Sequence, residues 1–199
     1  MRWAIVIGIA FCLTSCSTTS VNGPVPTTLS AGDRDEANGL ANRIAALSST
    51  IRPDEAQRLS ECTFLTVRRL AIEYQMVWPS GMQNYLIATG QRKRGYCFHW
   101  AEDIMTALAR LRLQTIELHW AEAFIGTSAE HNVVVVTANG QSYSQGILLD
   151  GWRYAGRLYT SPVRADMKHF EWRENTAKCA EVLARALPPP VVAGKPTTR

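Results

Sequence analysis

Near residue 112 the apolar residues change their period, and that change fixes the class of fold available to the chain. Before it they recur at helical spacing. After it Ile116, Leu118 and Trp120 alternate, Val133 to Val136 form an unbroken apolar run, Asn139-Gly140 is a turn dipeptide, and Gly146 to Trp152 reads as a return strand. A run such as Val133–Val136 is typical of a strand covered on both faces. Upstream, Leu40, Ile44 and Leu47 predict a helix over residues 33–49. A longer helix begins at Pro53, with Asp54 and Glu55 in its first turn and a stripe through Ala56, Leu59, Thr63, Val67, Leu70, Tyr74 and Val77; Pro79 is expected to stop it. A third starts near Cys97 and turns Trp100, Ile104, Leu108 and Leu111 inward. A last one runs from Thr176 to Leu187. Helices first and strands afterwards predict an α+β domain whose antiparallel sheet lies against the Cys97 helix. With 199 residues, 46% of them hydrophobic, one such domain is expected, over residues 33–187.

The first residues belong to something else. Residues 1–15 carry one charge, Arg2, and an apolar run from Trp3 to Leu13. That run is about 11 residues, whereas a bilayer-spanning helix needs about 20, so the segment reads as a secretion signal. Leu13-Thr14-Ser15-Cys16 resembles the lipobox of bacterial lipoprotein precursors, and the resemblance implies that Cys16 becomes the lipidated N-terminus; an ordinary signal peptide cut nearby is the alternative. Ser17 in place of aspartate then implies delivery to the outer membrane, with the domain facing the periplasm. Residues 16–32, rich in Ser, Thr, Pro and Gly, are expected to tether the domain to that membrane, and residues 188–199 to form a disordered Pro-rich tail.

The formal charge is +4, but apart from Arg92, Lys93 and Arg94 the basic residues are scattered. A nucleic-acid surface needs them clustered on one face, so no nucleic-acid partner is expected. Of five cysteines, Cys12 leaves with the signal and Cys16 takes lipid, leaving Cys62, Cys97 and Cys179. An odd number outside the cytoplasm leaves one unpaired. A Cys62–Cys179 bridge, tying an early helix to the last one, would make Cys97 that residue, although the sequence does not supply the separation a bridge requires.

Cys97 at a helix start is suited to nucleophilic chemistry, because unpaired backbone N–H groups and the helix dipole favour negative charge there. Such a cysteine needs a base, commonly histidine, oriented through its other ring nitrogen. His131 opens the Val-rich strand and Asp150 lies on the next. Gly95-x-Cys97 with Ala101 and Leu108, then His131 opening a strand, then Asp150-x-Trp152 after a turn, resembles the core of transglutaminase-like cysteine enzymes of the papain-like superfamily. The likeness covers roughly residues 80 to 155 and rests on the order and placement of individually weak motifs. It implies Cys97 as nucleophile, His131 as base and Asp150 as the group orienting it. It also implies thiol acyl transfer on amide or peptide bonds, as hydrolase or transferase, with no cofactor; peptide, protein or cell-wall substrates are expected from the envelope location alone. The family often has an aromatic residue two positions after the histidine and proline after the aspartate, where this chain has Val133 and Gly151. Gln91 stands at a spacing similar to that of the oxyanion-hole glutamine of papain-like proteases, and with the Cys97 N–H would form such a hole.

Other readings of the same residues stay open. Cysteine is among the most buried residue types, so Cys97 can be simply a core residue, and the scaffold a catalytically inert binding or assembly module. His119, followed by Trp120, is an alternative base. His99 stands near Cys97 but lacks the further spaced ligands of a zinc site, and no metal is expected. Trp100 and Trp152 are expected as neighbours of the site because they flank Cys97 and Asp150.

Overall fold

The computed structural model describes residues 23–187; the signal, Cys16 and the Pro-rich tail lie outside the described residues. Of the tether, residues 23–30 hold no helix or strand. Helix α1 (Ala31–Ala45) starts before Asp33 because Ser30 caps it, its Oγ accepting the Asp33 N–H at 3.1 Å. Arg68 on α2 (Pro53–Glu73) clamps the Asp33 carboxylate with Nε and Nη2, fastening the two helices together. Leu40, Ile44, Leu59, Val67 and Leu70 fill the space between them.

Helix α2 ends short of Pro79. Gln75 takes a left-handed φ of 50°, the Met76 N–H reaches Ala71 O and the Gln75 N–H reaches Ile72 O, a Schellman closure with Met76 buried beyond it. The connection then forms a helix that the periodicity does not predict, α3 (Ser80–Ala88). Its buried residues are Ser80 and Gln83, so it has no apolar stripe to read.

Helix α4 (Cys97–Ala109) is the axis of the domain. It packs Trp100, Ile104, Met105 and Leu108 against α2 on one side and against the sheet on the other. The sheet has five antiparallel strands in the order β4-β3-β2-β1-β5: β1 (Ile116–Ala123), β2 (His131–Ala138), β3 (Ile147–Tyr154), β4 (Arg157–Pro162) and β5 (Arg173–Glu174). The described residues thus form an α+β domain, with α4 lying on the sheet. All eight residues of β2 are buried. Val134 and Val136 face α4, while Val133 and Val135 face a second cluster with Leu148, Val163 and Trp172. The cover of this second face comes from the short helix α5 (Val163–Asp166) and residues 167–172, which, like the flanking strands β4 and β5, the sequence does not announce. The β2–β3 link is longer than a two-residue hairpin, since a 3-10 turn at Tyr143–Gln145 follows Asn139-Gly140. Helix α6 (Thr176–Ala186) closes the edge beside β1.

Candidate functional site

The loop before α4 is built to deliver Cys97. Gly95 has φ 124°, and a Cβ there would stand 2.8 Å from Gln83 Nε2, so both the backbone angle and the space call for glycine. The Gln83 amide donates to Tyr74 O at 2.9 Å and to Arg94 O at 3.0 Å, pinning the loop to the end of α2. His99 Nδ1 accepts the backbone N–H groups of Gly95 and Tyr96, both at 3.2 Å, which holds the entry to α4. His99 therefore serves the helix start, and burial pushes its pKa down.

Cys97 is the first helical residue and only 7% exposed. Its thiol donates to Glu130 O at 3.4 Å and receives the Asn132 side-chain amide at 3.7 Å. On the other face of β2, His131 is buried among Trp152, Phe170 and Trp172, with ring centroids at 5.0, 5.4 and 5.6 Å. Its Nε2 meets Asp150 Oδ2 at 2.7 Å. Nδ1 is buried and has no hydrogen bond of normal geometry, yet Cys97 lies close enough to act on the ring. Burial alone would push the His131 pKa down. The charge and hydrogen bond of Asp150, helped by the neighbouring Cys97 sulfur, override burial and raise it to about 9.

Asp150 is saturated with donors. Beyond His131, Oδ2 accepts Arg153 Nε at 3.0 Å, and Oδ1 accepts the backbone N–H groups of Trp152 and Arg153, each at 3.0 Å. The regular β3–β4 register breaks after Asp150, which turns those two N–H groups back toward it. Burial would raise the Asp150 pKa; the His131 charge, then Arg153, hold it below the usual carboxylate value. Arg153 extends the network, with Nη1 and Nη2 forking onto Asp166 at 2.9 Å each and the guanidinium lying over the Tyr159 and Phe170 rings. Asp166 also accepts Trp172 Nε1 at 2.9 Å. A buried relay thus runs from His131 through Asp150 and Arg153 to Asp166, anchoring the aromatic wall at its far end. Nothing in the sequence singles out Asp166 or Phe170, Trp172 reads there as one of several tryptophans that either line a cleft or fill the core, and the only signal for Arg153 is its adjacency to Asp150-x-Trp152.

The structure therefore brings Cys97, His131, Asp150 and Trp152 together. Trp100 is a wall behind them: it is buried under Gly151, where a Cβ would come within 2.4 Å of its ring, which explains why no side chain follows Asp150. Gln91 stands apart. It is exposed, its amide donates to Thr89 Oγ1 at 3.0 Å, and no hydrogen bond links it to Cys97. His119 is engaged elsewhere, between Glu174 Oε1 at 2.6 Å and Thr137 Oγ1 at 2.8 Å, and of the two histidines it is His131 that lies beside Cys97. Cys62 and Cys179 are not bridged. Both are free thiols, Cys62 turned toward Ala107 O and Cys179 toward Leu118 O. Burial raises both of their pKa values, so neither is primed to react. Among the described residues no group of three or more His, Cys, Asp or Glu side chains is placed to hold a metal.

Compared with known proteins, the chain matches no family model, no curated protein and no solved structure. Any assignment of chemistry rests on the site itself.

Proposed function

We propose that this chain is a lipid-anchored protein of the bacterial cell envelope, facing the periplasm from the outer membrane, with a transglutaminase-like thiol acyl-transfer site. Cys97 is the nucleophile, His131 the proton carrier and Asp150 its orienting carboxylate. The observation that carries the reading is the buried His131–Asp150 contact at 2.7 Å, which leaves Nδ1 without a partner beside the Cys97 thiol. In the attacking state the thiol proton sits on His131. Sulfur adds to an amide or ester carbonyl, and His131 then gives the proton to the departing amine or alcohol as the C–N or C–O bond breaks. The thioester is resolved by water or by an amine, with His131 taking a proton from the acceptor. Peptide, protein or cell-wall amides are the substrate class that fits an envelope address.

The 7% exposure of Cys97 favours a second reading, an inert scaffold that binds or assembles without turnover. Alkylation separates the two. With iodoacetamide at pH 6, Cys97 of the full chain is expected to label faster than glutathione, as mapped by peptide mass spectrometry, and His131→Ala is expected to remove the excess. Labelling of wild-type Cys97 no faster than glutathione refutes the catalytic reading.

A further inference from the structure

With Gln91 outside the site, an acyl-transfer centre at Cys97 still needs a side-chain donor for the carbonyl oxygen. We propose that Asn132 is that donor, and that with the Cys97 backbone N–H it forms the oxyanion hole; this rests on the acyl-transfer reading above. Asn132 is buried, 4% exposed, on the α4 face of β2. Its orientation is not free to flip. Trp120 Nε1 donates to Asn132 Oδ1 at 3.0 Å, and since an indole N–H can only donate, the oxygen of the amide is fixed on that side. The NH2 group therefore faces the site. One of its hydrogens goes to Glu130 Oε1 at 3.2 Å, and the other points at Cys97 Sγ at 3.7 Å. The Glu130 carboxylate is exposed to solvent, which screens its charge from the site, and its second oxygen is held by the Gly126 N–H at 2.9 Å.

The separation suits the chemistry. When sulfur bonds to the carbonyl carbon, the C=O pair moves onto oxygen, two bonds away from sulfur. A donor must then stand about 3 Å from that oxygen, and an amide nitrogen 3.7 Å from the sulfur is within reach of this position. The second donor comes from the helix itself. Cys97 is the first residue of α4, and the first N–H groups of a helix have no acceptor within it. Collapse of the intermediate returns the electron pair to C=O and expels the leaving group, which carries away the proton from His131.

Two reagents on the full chain separate an oxyanion donor from a residue that merely supports the thiol. Iodoacetamide consumes the thiol without forming an oxyanion, whereas p-nitrophenyl acetate acylates it through one. Asn132→Ala is expected to slow single-turnover nitrophenolate release about 100-fold or more while iodoacetamide alkylation of Cys97 stays within about threefold. Asn132→Ser, which retains a small polar side chain, provides the same comparison if the alanine variant melts far below wild type. Acylation and alkylation falling by equal factors, or acylation unchanged, overturns the assignment. A wild-type chain that p-nitrophenyl acetate acylates no faster than glutathione instead overturns the acyl-transfer reading, and this one with it.

Discussion

Replacing Asp150 by asparagine changes a few atoms and leaves the shape of the side chain intact, so its effect can be worked from the hydrogen bonds. Oδ1 receives two backbone N–H groups and Oδ2 receives Arg153 Nε and His131 Nε2. An amide has one accepting oxygen. If that oxygen stays with the backbone N–H pair, the NH2 group confronts Arg153, which can only donate, and His131. His131 can meet it only by presenting a bare Nε2, with its proton moved to Nδ1, the nitrogen that the proposed mechanism needs free for the thiol proton. The carboxylate that opposed the effect of burial is also gone, so the His131 pKa falls from about 9 to near or below its ordinary 6.5. That fall corresponds to about 3 kcal/mol lost from the protonated ring, and the wrong tautomer is expected to cost acyl transfer roughly 10³ to 10⁴-fold. Long-range ¹H–¹⁵N NMR of the imidazoles, followed from pH 4.5 to 10, reads the change directly. The chain has four histidines, so His131→Gln assigns the resonance. A ring that still titrates above pH 8 in Asp150→Asn would refute the argument that the carboxylate holds the proton there.

Two further outcomes follow from the same contacts. Because the folded pKa of His131 is raised, its contribution to stability is complete below pH 6.5 and is lost as pH rises through about 9. Thermal melts of wild type should drop by roughly 6–12 °C across that window, and His131→Gln should lack this component; parallel curves for the two proteins would contradict it. Mass spectrometry of protein alkylated in denaturant without reductant should find Cys62, Cys97 and Cys179 all labelled, and an unlabelled Cys62–Cys179 pair would restore the bridge the structure lacks.

What the sequence could convey depended on how local each determinant is. The Val133–Val136 run, Pro53 at a helix start and the order Cys97, His131, Asp150 are written in neighbouring residues or in element order, and each appears where expected. The end of α2 was misjudged because a left-handed Gln75, which leaves no mark in composition, stops the helix before Pro79 does. Helix α3 was missed because it buries a serine and a glutamine. The relay through Arg153 and Asp166 depends on residues 167–172 folding back across the sheet, a long-range event with no periodic signature. Gln91 is suggested by spacing along the chain, and spacing does not reveal that its side chain is exposed and turned to Thr89. Asn132, adjacent to His131 in sequence, was overlooked because its importance comes from Trp120 on the neighbouring strand.

Cys97 reaches the site from the helical side of the sheet, whereas the aromatic setting of His131 lies on the opposite side. The two meet around the leading end of β2, much as fingers close over the edge of a plate. The proposed chemistry therefore depends on how α4 is seated on the sheet as much as on the three side chains themselves.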